Sequence, residues 1–145
     1  MNQILTFKRA AETDFAELLN CDPFAQTAPL RQEWLKTALR ARYVLIAEYA
    51  GAIVGFAVMK HRFFGHGFVS LITVKPVMRR RRYALALLAE SERLRTTAKI
   101  FTSTNASNVA AQKLFLRAGF VRSGQIDNID KDDTELIYFK AIDVK

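Results

Sequence analysis

The apolar positions in the first half of the chain recur with two periods, and each period predicts a different kind of element. Short β-rich runs predict four strands, at 4–8, 43–49, 52–59 and 68–74. Helical spacing predicts two helices before the second strand, around 13–19 and 30–39. Two prolines between residues 20 and 29 indicate a loop between these helices. Glycine-containing turns join the last three of these strands into an antiparallel meander.

The second half of the chain alternates helices with strands. Apolar spacing predicts an amphipathic helix from Arg82 to about Thr97 and another over 109–118, which Gly119 ends. Strands are predicted at 100–103, 120–126 and 136–139. The order β-α-α-β-β-β-α-β-α-β-β has no linker or repeat, which predicts one α/β domain over residues 1–145. We expect a mixed, mostly antiparallel central sheet flanked by helices, with a parallel crossover between 68–74 and 100–103.

Composition excludes several classes of protein. The 145 residues are 50% apolar and 25% charged, a balance typical of a globular chain with a substantial core. One cysteine excludes a disulfide framework, and with only two histidines we expect no metal site. No apolar run approaches the roughly 18 residues of a membrane span, and the first residues do not resemble a signal peptide. We therefore expect a cytoplasmic protein with no membrane partner.

Charge is concentrated in two segments. With 22 Lys and Arg against 14 Asp and Glu, the net charge of +8 favours anionic partners such as a polyphosphate or nucleic acid. Four arginines stand in a row at 79–82, whereas five of the 14 acids lie between Asp127 and Glu135. The acidic segment falls between the last two predicted strands. It is therefore interpreted either as a solvated turn or as a cluster of carboxylates that attracts a cationic amine.

The segment from Val74 to Ala84 joins a predicted strand to a predicted helix. A helix N-terminus presents unpaired backbone N–H groups and the positive end of the helix dipole, so it favours an anion. Arginines in the same loop add forked donors that suit phosphate. The sequence thus predicts a phosphate-binding loop, with a solvated basic loop as the simpler alternative.

Two blocks of sequence resemble motifs of the GNAT superfamily of N-acetyltransferases, as found in bacterial stand-alone domains. The residues from Arg79 to Ala84, preceded by Val74-Lys75-Pro76, resemble the motif Arg/Gln-x-x-Gly-x-Gly/Ala, except that Arg82 replaces the first glycine. The residues from Asn105 to Phe120 resemble Asn-x-x-Asn-x-x-Ala-x-x-Leu-(Tyr/Phe)-x-x-x-Gly-Phe. The order of elements also agrees, so the resemblance covers essentially the whole chain.

The resemblance implies an N-acetyltransferase that uses acetyl-CoA as co-substrate and an amine as acceptor. The pyrophosphate of acetyl-CoA would lie on the loop that contains the four arginines 79–82, the arginine loop. The pantetheine arm of acetyl-CoA would pair with the backbone of the preceding strand. The Val74 N–H would polarise the thioester carbonyl, as an oxyanion hole does. The residues that the resemblance assigns to the cofactor are Ile72, Thr73, Val74, Arg79, Arg80, Arg81, Arg82, Tyr83, Ala84, Asn105, Asn108 and Phe115. We expect Arg82 to begin the helix, with its side chain at or near a phosphate.

The general acid and base are not evident in the sequence. A lysine-like amine has a pKa near 10.4, so only about one in a few thousand is neutral and able to attack at pH 7. Where relatives place a proton-donating tyrosine this chain has Phe115, and the strand 68–72 lacks the carboxylate of some relatives. Tyr138 and Ser70 are candidates by chemistry alone, as are Tyr83, His61 and His66.

Two other functions remain open from the sequence. The missing tyrosine and carboxylate, together with Arg82, are compatible with a CoA-binding module that does not catalyse transfer. A nucleic-acid-binding protein is less favoured, because the arginines are not interleaved with aromatic residues and no DNA-binding motif is present. A homodimer is compatible with the sequence, which does not define the acceptor.

Overall fold

The computed structural model describes residues 4–142 and contains the expected sequence of strands and helices. The helices are α1 (Phe15–Cys21), α2 (Pro29–Arg40), α3 (Tyr83–Arg93) and α4 (Val109–Arg117). The strands are β1 (Thr6–Arg9), β2 (Val44–Tyr49), β3 (Ala52–Phe63), β4 (His66–Val74), β5 (Lys99–Asn105), β6 (Val121–Asp130) and β7 (Asp133–Ala141). Single 3₁₀ turns occupy Glu12–Asp14, Ala25–Thr27 and Pro76–Met78. The predicted order of elements is confirmed.

The seven strands form one mixed sheet in the order β1-β2-β3-β4-β5-β7-β6. β4 and β5 are parallel, with Gly67 to Val69 in register with Ile100 to Thr102. The pairs β1–β2, β2–β3, β5–β7 and β6–β7 are antiparallel. The predicted α/β class and the parallel pairing across the central helix are therefore confirmed.

The chain divides into two compact units, and both β3 and β4 contribute to each. The first unit comprises the described residues up to Met59 together with Leu71–Ser91. Its core packs α1 and α2 against β2 and β3, because the apolar residues of α2 lie on one face at helical spacing. The fully buried members of that core include Leu18, Leu35, Ile46, Phe56 and Val58.

The second unit comprises Lys60–Ser70 together with the described residues from Glu92 onward. Lys140 on β7 contacts the ends of two helices. Its ammonium group lies 3.0 and 3.2 Å from the two carboxylate oxygens of Glu92 at the end of α3. It also donates a 2.8 Å hydrogen bond to the carbonyl of Ala118 after α4. Gly119 follows with a φ of +92°, as its predicted helix-ending role requires.

Several predicted boundaries are wrong, most of all in the last two strands. β6 and β7 extend through the acidic segment, so only Lys131 and Asp132 form a turn between them. Every residue of β6 is exposed, so its sequence lacks the alternation that reveals a half-buried strand, and pairing with β7 defines it instead. The helix predicted over 82–97 begins at Tyr83 and ends at Arg93.

Candidate cofactor site

The backbone of Val74 at the end of β4 faces away from β3. A Cβ added to Gly55 of β3 would lie 2.7 Å from the Thr73 carbonyl oxygen, so that carbonyl points toward β3. In a trans peptide the following N–H points the opposite way, and no cis peptide is present in the described residues. The Lys75 N–H in turn donates to the carbonyl of Val54 on β3, at 2.7 Å, which confirms the alternation. The Val74 N–H therefore points away from β3.

Arg79 lies beside the same edge of β4. The 3₁₀ turn Pro76–Met78 folds the loop back, and Nε of Arg79 donates a 3.1 Å hydrogen bond to the carbonyl oxygen of Val74. The N–H and C=O of one strand residue point to the same side of the strand. The guanidinium group of Arg79 is thus held on the side to which the Val74 N–H points.

The next three arginines are exposed, and two of them have a strained backbone. No carboxylate among the described residues pairs with Arg80, Arg81 or Arg82, so their charges are not neutralised there. Arg80 and Arg82 have left-handed backbones, with φ of +65° and +64°. Such a conformation costs a residue with a Cβ about 1–2 kcal/mol.

The expectation that Arg82 begins the helix is wrong. Its left-handed φ lies outside the helical range, and α3 starts one residue later, at Tyr83. The carbonyl of Arg82 nevertheless accepts the 3.1 Å hydrogen bond from Ala86 that opens the helix. The related motif carries glycine at this position, and glycine adopts positive φ without steric cost.

The remaining cofactor candidates of the first unit flank this loop. Tyr83 and Ala84 form the first turn of α3, and the Tyr83 ring packs with its centroid 5.9 Å from that of Tyr49. Ile72 and Thr73 are half-buried on β4. The Thr73 hydroxyl donates a 2.7 Å hydrogen bond to the carbonyl of Cys21, so that side chain already has a structural role.

Cys21 is a buried thiol at the end of α1. Burial raises its pKa from 9.0 to about 11, because the thiolate is poorly solvated there, with Glu17 and Asp22 adding to the rise and Lys75 opposing it. A neutral, buried thiol is a poor nucleophile. We therefore assign Cys21 a structural role in the core of the first unit.

The two asparagines of the second motif lie in the second unit, in the loop between β5 and α4. Asn105 ends β5, and its side-chain amide donates a 2.8 Å hydrogen bond to a carboxylate oxygen of Asp130. Asn108 is the N-cap of α4, where its side-chain oxygen accepts a 3.1 Å hydrogen bond from the Ala111 N–H. Both side chains therefore shape the loop itself.

Phe115 and Tyr138 pack against each other inside the second unit. Phe115 is 4% exposed and Tyr138 is 2% exposed, and their ring centroids lie 5.3 Å apart in an edge-on arrangement. The guanidinium carbon of Arg122 lies 5.8 Å from the Tyr138 ring centroid. The proton-donor candidate on β7 thus lies next to the position where relatives carry a tyrosine. Ser70, the other candidate, is half-buried on β4, and the catalytic roles of both residues remain predictions.

Sequence reasoning missed the residues that hold the β5–α4 loop. Asp130, Asp133 and Thr134 bind Asn105, Ser107 and Ala106 respectively. The acidic segment gave no local signal for this role, because the partners are 25 to 28 residues apart in the chain.

No helix over residues 4–142 is both long and apolar enough to cross a membrane. Within the same residues, no group of three or more His, Cys, Asp and Glu side chains could hold a metal ion.

Comparison with known proteins shows the family. The model of the acetyltransferase (GNAT) family matches residues 9–120, and the chain therefore belongs to that family. The predictions of a GNAT member and of an acyltransferase enzyme are confirmed. No match was found among curated proteins.

Solved structures agree with the family assignment. A GNAT-family acetyltransferase from Bacillus cereus is 33% identical, with a TM-score of 0.87 over 96% of this chain and 98% of that chain. A Bacillus anthracis protein solved in complex with acetyl coenzyme A is 25% identical, with a TM-score of 0.64 over 69% of this chain and 63% of that one. The ribosomal-protein-S18-alanine N-acetyltransferase of Escherichia coli shares the fold, at 21% identity and a TM-score of 0.80 over 98% of this chain and 96% of that one.

Proposed function

We propose that this chain transfers the acetyl group of acetyl-CoA to a primary amine of a small molecule or protein, by direct attack in a ternary complex. Residues 1–145 act as one acetyltransferase domain in this proposal, and its location is cytoplasmic. The observation that carries it is the Val74 N–H directed away from β3, with Arg79 fixed beside it. Family membership supports the reaction class, and the acceptor is the finer part of the proposal.

The arginine loop fits the phosphates of the co-substrate. Arg80, Arg81 and Arg82 are exposed and lack carboxylate partners among the described residues, and the N-terminus of α3 follows them directly. A helix N-terminus and guanidinium groups both favour phosphate oxygens. The backbone of Ile72, Thr73 and Val74 would pair with the pantetheine arm, while Asn105, Asn108 and Phe115 belong to the cofactor site by resemblance to the family.

The transfer step needs one oxyanion donor and two proton transfers. The neutral amine attacks the thioester carbonyl, the C–N bond forms, the C–S bond breaks, and the Val74 N–H faces the oxygen on which negative charge grows. The amine nitrogen then loses a proton, and the departing CoA sulfur gains one. We assign the proton donor to Tyr138, with Ser70 as the second candidate, because Phe115 cannot donate.

A CoA-binding module without transfer activity is the second candidate function. The specific observation that favours it is Phe115, which is buried at the position where relatives carry a tyrosine and cannot itself donate a proton. Such a module would use the same arginine loop and the same β4 edge. It would differ only in the absence of turnover.

Calorimetry with CoA followed by a thiol-release assay with a panel of amines tests both functions. We expect CoA to bind and at least one amine to be acetylated. Arg79→Ala should weaken CoA binding tenfold or more, whereas Arg40→Ala, which removes an exposed charge from α2, should leave it unchanged. Binding without turnover of any amine would favour the non-catalytic module. No binding at millimolar CoA would overturn both, and salt-dependent DNA binding in its place would favour the nucleic-acid function.

A further inference from the structure

The acidic segment of the chain is bonded to the loop that carries the two motif asparagines. We call residues 105–108 the asparagine loop. Its first three residues each bond to the β6–β7 hairpin: Asn105 to the Asp130 carboxylate at 2.8 Å, Ala106 N–H to the carbonyl of Thr134 at 2.8 Å, and Ser107 to the Asp133 carboxylate. The hairpin therefore holds the loop along its length.

Asp133 makes the strongest of these contacts. One of its carboxylate oxygens accepts the Ser107 backbone N–H at 3.0 Å, and the other accepts the Ser107 hydroxyl at 2.5 Å. Hydrogen bonds to an ionised acceptor are about twice as strong as neutral ones. Because both oxygens are used by one residue, Asp133 fixes the orientation of Ser107 as well as its position.

The far end of the asparagine loop is fixed by α4. Asn108 accepts from the Ala111 N–H as the helix N-cap, and its own N–H donates to the carbonyl of Asn105 at 2.9 Å. Gln112 adds a 2.7 Å hydrogen bond to the carbonyl of Ala106. The loop is thus held between a helix cap and two carboxylates, and loss of either carboxylate removes part of what fixes its conformation.

We propose that Asp130 and Asp133 are positioning residues that hold the asparagine loop in the conformation in which it contacts acetyl-CoA. This inference rests on the proposed function, because the role of Asn105 and Asn108 toward the co-substrate comes from the family resemblance. It replaces the idea that the acidic segment mainly attracts a cationic acceptor. A carboxylate that already accepts hydrogen bonds from Ser107 or Asn105 is less available to a passing amine.

Asp132 distinguishes the two roles. It lies in the turn of the same hairpin and makes no hydrogen bond or ion pair in the described part of the chain. Long-range attraction of a cationic amine depends on charge alone, so Asp130, Asp132 and Asp133 would contribute to it alike. Positioning depends on the bonds, so it involves Asp130 and Asp133 alone. Removing any of the three acidic side chains should slightly strengthen the binding of anionic CoA, because it reduces electrostatic repulsion. The loss of negative charge therefore cannot explain weaker CoA binding.

The test measures CoA affinity by calorimetry for Asp130→Ala, Asp133→Ala and the control Asp132→Asn. Asparagine is used at 132 because that residue has a φ of +60°, which asparagine tolerates. We expect five- to twentyfold weaker CoA binding in the two alanine variants and no loss in the control. Asp133→Asn should retain most of the affinity, since its amide oxygen can still accept the Ser107 N–H.

Kinetics separate positioning from a merely structural effect. We expect KM for acetyl-CoA to rise in Asp130→Ala and Asp133→Ala while KM for the amine stays within twofold. Thermal unfolding of each variant checks that it folds. Wild-type CoA affinity in both alanine variants would overturn this inference alone. So would a rise in KM for the amine only, seen in all three variants of the aspartates. Failure of the wild type to bind CoA would overturn the proposed function and the inference with it.

Discussion

Arg79 donates a hydrogen bond from Nε to the carbonyl oxygen of Val74, at 3.1 Å. The family motif begins with an arginine or glutamine at this position, and both side chains carry an N–H donor. The bond joins the end of β4 to the start of the arginine loop. It therefore connects the backbone donor proposed for the thioester oxygen with the loop proposed for the phosphates.

The first prediction follows from the fixed geometry of that bond. Lysine at position 79 would keep the charge but could not present a rigid Nε–H donor to Val74. We expect Arg79→Lys to lower kcat/KM for acetyl-CoA about tenfold, equivalent to about 1.4 kcal/mol of transition-state stabilisation. Arg40→Lys, at an exposed residue of α2 outside the arginine loop, is the matched control and should stay within twofold. Equal effects of the two changes would mean that Arg79 contributes charge alone.

The second prediction concerns the left-handed backbone of Arg82. Arg82→Gly should relieve about 1–2 kcal/mol of steric cost while losing part of that gain to the more flexible unfolded chain. We expect a net gain in the free energy of unfolding of about 0.5–1 kcal/mol, measured by denaturant titration. Arg81→Gly, at a position without positive φ, should instead destabilise the protein. A loss of stability in Arg82→Gly would show that the arginine side chain contributes more than its backbone costs.

The third prediction restores the hydroxyl that relatives carry on α4. If protonation of the departing thiolate limits the rate, Phe115→Tyr should raise kcat at neutral pH about tenfold. Phe115→Leu is the control: it should weaken CoA packing without abolishing turnover, because no proton donor is lost. Unchanged kcat in the tyrosine variant would indicate that solvent or another residue already supplies the proton.

The fourth prediction tests the assigned donor on β7. Tyr138→Phe keeps the ring contacts with Phe115 and Arg122 and removes only the hydroxyl. We expect kcat to fall about tenfold with little change in the KM of either substrate. Tyr83→Phe removes a hydroxyl from the first turn of α3 and serves as the comparison. If kcat of Tyr138→Phe equals that of the wild type, Tyr138 is a packing residue and Ser70 becomes the next candidate.

The fifth prediction concerns stability at alkaline pH. The pKa of Cys21 is raised to about 11 in the folded protein from 9.0, so the unfolded chain loses its thiol proton first as the pH rises. The stabilisation is fully present below pH 9 and is lost between about pH 9 and 11, at up to roughly 2–3 kcal/mol. Cys21→Ala should therefore show a shallower fall in unfolding free energy over that range. Parallel pH curves for the two proteins would contradict the buried thiol's contribution.

The sequence predicted the position of the arginine loop between a strand and a helix, but not the conformation of its backbone. Arg79, Tyr83 and Ala84 could be placed by motif, since a strand, a short turn and a helix are local features of the chain. The conformation of Arg82 could not be read in the same way. Arginine prefers negative φ, and only the geometry of the strand-to-helix turn imposes the left-handed value.

By itself the sequence determined the order of strands and helices, the family, and the loop that carries the positive charge. These properties depend on apolar periods and on motifs whose residues are close together in the chain. The tertiary structure decided that Asp133 binds Ser107, 26 residues away, and that Tyr138 packs against Phe115. Such contacts depend on the register of β7 with its neighbours, and a shift of one residue would turn each side chain to the other face of the sheet.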